Sequence, residues 1–148
     1  MESLNDLEQS LDELQKRMQK IKKDSMAEED FLHSGEMSLM KFIAHYHHRF
    51  DKAPTLVKIS QVIGISGATA TTLADRLIKK GLIEKVTSPE DKRAKLLSLT
   101  EKGEEYLMSN RARHKAMLLK VISFIGKDDT IELARILKKI NQHLGNES

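Results

Sequence analysis

The sequence predicts a mainly α fold with one small β-hairpin. Two short helices joined by a tight turn lead into the hairpin, and long helices flank the whole. Three observations predict it. Residues 55–80 hold two apolar-faced stretches divided by Gly64-Ile65-Ser66. Residues 82–86 and 94–99 are short apolar runs around a loop that carries Pro89 and four charges. The two ends keep apolar spacing of three and four over long stretches almost free of helix breakers, the pattern of an amphipathic helix.

The first element is an a/d heptad. Leu4, Leu7, Leu11, Leu14, Met18 and Ile21 recur at alternating steps of three and four, and no Pro or Gly appears before Gly35. This predicts one helix from about residue 3 to about 30. Its apolar stripe is narrow and its flanks are charged, so a lone copy cannot bury it and a second copy of the chain is the expected partner. The next helix is expected to start at Ser34 as N-cap, with Glu36 in the first turn where the helix dipole favours an acid. It ends at Asp51-Lys52-Ala53-Pro54, since proline disfavours helical backbone at the residue before it.

Leu56, Ile59, Val62 and Ile63 form the face of a short helix that Gly64 ends with a positive φ. Ile65 is the apolar turn residue. Ser66 caps a second helix whose stripe is Ala70, Leu73 and Leu77, closed at Gly81. Two short helices around a glycine-containing turn are the signature of a helix-turn-helix. Strands are expected at 82–86 and 94–99, with Leu97 and Leu99 on one face. Such a hairpin placed directly after a helix-turn-helix is a wing. Thr100 then caps a long helix that Gly126 closes, and its middle, SNRARHK, is polar. Asp129 and Glu132 suggest a capping box for the last helix, with Leu133, Ile136, Leu137, Ile140 and Leu144 as its stripe.

Composition narrows the function classes. The 148 residues contain no cysteine, which excludes a disulfide scaffold and a thiolate metal site. No apolar run reaches the ~20 residues of a membrane span, and the N-terminus lacks the pattern of a signal peptide. The cytoplasm is the expected compartment and no membrane partner is expected. Net charge is +3, but it is unevenly placed. Residues 1–34 carry five Lys/Arg against nine Asp/Glu, while residues 51–103 carry ten against six. A basic middle suggests an anionic partner. No phosphate-binding glycine loop, nucleophile elbow or paired carboxylates point to an enzyme, and no cofactor is implied. His33, His45, His47, His48 and His114 invite a zinc-responsive alternative, with His45 and His48 sharing a helix face. No HExxH motif accompanies them, and no metal site is expected. A helical interaction protein that does not bind DNA is the third class.

Residues 55–107 resemble, almost without gaps, the winged core of the MarR family of bacterial transcriptional regulators. The markers are Gly64-Ile65-Ser66, Asp75-Arg76-Leu77, Lys80-Gly81-Leu82-Ile83, Asp91-Lys92-Arg93 and Leu99-Thr100-Glu101-Lys102-Gly103. The resemblance implies an N-terminal dimerisation helix at 1–33, a DNA-binding core at 34–103 (helix-turn-helix about 56–80, wing about 82–99) and C-terminal dimerisation helices at 104–148. It implies a homodimer on a pseudo-palindromic double-stranded operator, most often a repressor, released by a small organic anion or a phenol. The second motif helix would enter the major groove with Ser66, Ala68, Thr69, Thr71 and Thr72. Arg76, Lys79 and Lys80 would face phosphates, although many relatives carry a basic residue where this chain has Thr72. At the wing, Arg93 would enter the minor groove, where a narrow groove concentrates negative potential. Asp91 would brace its guanidinium through paired hydrogen bonds, and Lys92 and Lys95 would add phosphate contacts. Phe42, Tyr46 and Phe50 would help to wall the effector pocket.

Overall fold

The computed structural model describes residues 2–26 and 31–146. In chain order it holds α1 (Glu2–Asp24), α2 (Ser34–Phe50), α3 (Leu56–Ile63), α4 (Gly67–Lys79), β1 (Ile83–Thr87), β2 (Lys95–Leu99), α5 (Glu101–Ile125) and α6 (Lys127–Gly145). The mainly helical architecture with one antiparallel hairpin is the one expected, with corrections at three helix ends.

The first correction concerns α1, which stops at Asp24 rather than near residue 30. The Ser25 amide closes on the Ile21 carbonyl at 3.1 Å and its hydroxyl donates to the Lys22 carbonyl at 2.8 Å, so the turn there satisfies the last helical acceptors. Residues 27–30, the rest of the expected helix, lie outside the described residues. The second concerns α2. His33, not Ser34, is its N-cap, and no side chain caps it. The third concerns α6, which begins at Lys127, before the expected box. Asp128 and Asp129 occupy its first turn, and Glu132 pairs with Arg135 at 2.6 Å instead of reaching back.

The punctuation between α3 and α4 follows the residues closely. Gly64 sits at φ 78°, ψ 36°, and both its amide and that of Ile65 donate to the Ser60 carbonyl. An L-residue with a Cβ adopts that backbone only with strain. Ser66 takes extended backbone and accepts the Thr69 amide at 3.1 Å, a side-chain cap. Thr55 caps α3 and Thr100 caps α5 in the same way, through the amides of Lys58 and Gly103.

In the hairpin, Ile83 pairs with Leu99 and Thr87 with Lys95. The chain before α3 adds a short third edge: Leu97 donates to the Pro54 carbonyl at 2.9 Å, and Thr55 bridges to Leu96. The core lies between α2, α4 and this sheet. Leu39, Met40 and Ile43 of α2 meet Ile59, Ala74, Leu77, Ile83 and Leu97, all essentially removed from water. Each of these leucine, isoleucine and methionine side chains contributes about 1.5–3 kcal/mol by its burial. Leu73, expected in the α4 stripe, is half-buried, and Ala74 takes the inner position. Outside this core, the stripes of α1 and α6 stay open to solvent.

Candidate nucleic-acid interface

α4 and the wing present the expected reading residues to solvent. Ser66, Ala68, Thr69, Thr71, Thr72, Arg76, Lys79, Asp91, Lys92, Arg93 and Lys95 are all exposed. On α4 this follows from helical periodicity, because Ala70, Ala74 and Leu77 turn inward and leave the opposite face free. The threonine hydroxyls are already engaged. Ser66 Oγ donates to Thr69 Oγ1 at 2.9 Å, Thr71 Oγ1 to the Gly67 carbonyl at 2.9 Å, and Thr72 Oγ1 to the Ala68 carbonyl at 3.0 Å. With their protons committed to the helix, Thr71 and Thr72 offer acceptor lone pairs and methyl groups outward. That suits the amino donors of adenine and cytosine and the thymine methyl.

The wing tip is held by its own side chains. Ser88 Oγ accepts the amides of Glu90 and Asp91 at 3.3 and 3.4 Å, and the Ala94 amide donates to the Asp91 carbonyl at 3.0 Å. Asp91 Oδ1 accepts the Arg93 backbone amide at 2.9 Å. The expected brace therefore exists in a different form: Asp91 fixes the backbone at Arg93, not its guanidinium. The geometry is that of an Asx turn, which a short carboxylate two residues before the amide readily closes. Among the described residues no acid pairs with Arg76, Lys79, Lys92 or Arg93. Lys95 is tied across the hairpin to Thr87 Oγ1 at 3.1 Å. Lys80, expected to face phosphate, instead pairs with Glu36 of α2 at 3.1 Å.

Two cavities open between α2 and α5. One, of about 300 Å³, is lined by Ile43, Leu97, Leu107 and Met108, with His47, Glu104 and Arg111 at its polar edge. The other, of about 440 Å³, is basic and holds Lys41, His45, His48, Asn110, Arg111 and His114. Beside it, burial first, then the charges of Lys41 and Arg113, push the Lys22 amine below the usual lysine range. One guanidinium nitrogen of Arg113 is buried without a hydrogen-bond partner. Phe42, Tyr46 and Phe50 line neither cavity. They stack on each other, with ring centroids 5.8 and 4.7 Å apart. No group of three or more His, Asp or Glu among the described residues could hold a metal ion. Sequence reasoning missed Arg111 and Arg113. The polar SNRARHK interruption of an otherwise apolar helix was the available signal.

The fold and its exposed face define a winged helix-turn-helix protein with long helical arms. Residues 51–95, which span most of this winged core, match the MarR family model. The chain is similar to the HTH-type transcriptional repressor MdtR of Bacillus subtilis, 29% identical over 85 residues, 57% of this chain and 55% of that protein. The match thus spans about half of that relative's length. In structure it resembles the YusO protein of Bacillus subtilis, with a TM-score of 0.77 and 23% identity over 95% of this chain and 96% of that one. It also resembles FabT of Streptococcus pneumoniae, solved in complex with DNA, with a TM-score of 0.77 and 21% identity over 99% of each chain.

Proposed function

We propose that the protein is a homodimeric, sequence-specific DNA-binding regulator of transcription, a repressor that a small-molecule effector releases. The observation that carries this reading is the exposed α4 face joined to a wing whose Arg93 has an anchored backbone and an unpaired guanidinium. An anchored backbone lowers the cost of ordering the loop on binding, and an unpaired guanidinium breaks no ion pair on entering a minor groove. The similar proteins point the same way: one is named a transcriptional repressor and another was solved with DNA bound.

The arms, residues 1–33 and 104–148, support the dimer. Leu4, Leu7, Leu11 and Leu14 of α1 are 53–56% exposed, and Leu133, Ile136, Leu137, Ile140 and Leu144 of α6 are 40–57% exposed. Helices with such open stripes need a partner surface. A two-fold dimer would place two α4 helices one duplex turn apart, on a pseudo-palindrome. For the effector, the basic cavity between α2 and α5 offers an organic anion better chemistry than the aromatic stack, which supplies ring faces and no charge. Phe42, Tyr46 and Phe50 then serve mainly to stiffen α2.

Selection of bound duplexes from a random pool tests the reading. The expected product is a palindrome with half-sites about 10 base pairs apart, bound with an affinity that falls steeply with salt. Salt-insensitive binding, or no enriched sequence, rejects it.

A further inference from the structure

The two ends of α4 are held very differently. At the N-terminal end the hydrogen bonds are local, among residues 66–72. The C-terminal end is clamped by two other helices. Lys80 pairs with Glu36 in the first turn of α2 at 3.1 Å. Lys102 Nζ of α5 donates to the Lys80 carbonyl at 2.9 Å. Thr100 donates its hydroxyl to the Gly81 carbonyl and its amide to the Leu82 carbonyl. The first turn of α5 lies so close that a Cβ at Gly103 would stand 2.0 Å from the Leu82 carbonyl oxygen.

Glu36 is the one buried charged residue among those described, at 1% exposure, while the Lys80 side chain keeps 34%. A carboxylate so placed cannot touch a nucleic acid. It can, however, decide where Lys80 points and how α4 leans, because a buried charge demands its partner. We infer that Glu36 is a specificity-determining positioning residue: by holding Lys80 against α2 it fixes the lean of α4 and keeps a lysine off the phosphates. A lysine free to reach phosphate would strengthen binding to every sequence alike. Paired to Glu36, Lys80 contributes position in place of indiscriminate affinity.

The inference rests on the DNA-binding reading and makes a prediction of unusual sign. Removing an acid makes the protein more positive, and electrostatics alone then predicts tighter binding to any duplex. If Glu36 positions α4, Glu36→Gln and, more severely, Glu36→Met weaken binding to the selected duplex by about tenfold, the cost of roughly one misread base pair. Affinity for a scrambled duplex of the same composition holds or rises, and its salt dependence steepens by about one phosphate contact. Adding Lys80→Gln to Glu36→Gln returns scrambled-duplex binding to the wild-type level without restoring the selected one.

A merely structural role lowers the melting temperature and leaves the ratio of the two affinities, and the salt slope, unchanged. That result in Glu36→Gln overturns the inference, and Glu36→Gln decides even if Glu36→Met does not fold. Wild-type protein that binds neither duplex rejects the DNA-binding reading itself, and this inference falls with it.

Discussion

The winged core and the arms are built from similar apolar residues but use them in opposite ways. In the core, Leu39, Ile59, Leu77 and Ile83 are at most 1% exposed. In the arms, Leu7, Leu11, Leu137 and Leu144 are 50–57% exposed. The same side chain therefore carries different information in the two regions. A core leucine stabilises this chain, whereas an arm leucine is a request for another surface. The two regions come closest at one joint, where Gly103 of α5 lies against Leu82.

The largest expected effect comes from breaking that joint. Gly103→Ala drives a methyl into the Leu82 backbone, which has no flexible end to yield. Overpacking of this kind costs about 1–3 kcal/mol and more where only backbone can move. Urea unfolding should show a loss of at least that size. A loss under 0.5 kcal/mol would mean that α5 is not seated on the wing.

Next in size is the loss of the arm surface. Leu11→Asp combined with Leu14→Asp places two charges on the α1 stripe while leaving the core untouched. Sedimentation should show a shift from dimer to monomer, with the near-native signal of the winged core retained. If the dimer persists at micromolar concentration, the α1 stripe serves something other than self-association.

Arg93→Ala separates recognition from folding. We expect weakening of selected-duplex binding by about ten- to a hundredfold, the scale of one well-placed arginine contact. The dimer and its melting temperature should not change. Asp91→Ala should cost less, because Arg93 remains and only its backbone anchor is lost. Equal losses in the two variants would mean that the loop conformation, not the guanidinium, makes the contact.

How much of this could be read from the chain differs between local and distant features. Gly64, Ser66 and Thr100 act on backbone within a few residues, so their caps and turns were legible. So was the outward face of α4, because helical spacing alone separates Thr71 and Thr72 from Ala70 and Ala74. The pairing of Lys80 with Glu36 was not legible. It joins positions 44 residues apart, and Glu36 in a first helical turn reads equally well as a solvated acid serving the dipole. Ser34 was misread for the related reason that any serine before a helix resembles a cap, while the fold placed the helix start one residue earlier. The part Asp91 plays was half legible. Its spacing to Arg93 gave the pair but could not say whether amide or guanidinium would take the bond.

The smallest expected effect tests how the arms attach to the core on the α2 side. The Lys22 amine of α1 lies 5.5 Å from the Phe31 ring centroid. Burial and the charges of Lys41 and Arg113 lower its pKa below the usual lysine value of 10.5. A lysine whose folded pKa lies below its unfolded one costs stability while it is charged. That cost is fully present at neutral pH, is relieved as pH rises through the lowered pKa, and is gone above 10.5. Lys22→Met should therefore raise the melting temperature at neutral pH by about 1–2 °C, a small effect because much of the amine is solvated. It should also flatten the gain in stability that the wild type shows toward alkaline pH. An anion seated in the basic cavity would act like the mutation, by neutralising the same repulsion. A variant that melts lower than wild type would instead make Lys22 a net stabiliser through its contact with Phe31, and the attachment of α1 would then be a favourable contact rather than a strained one.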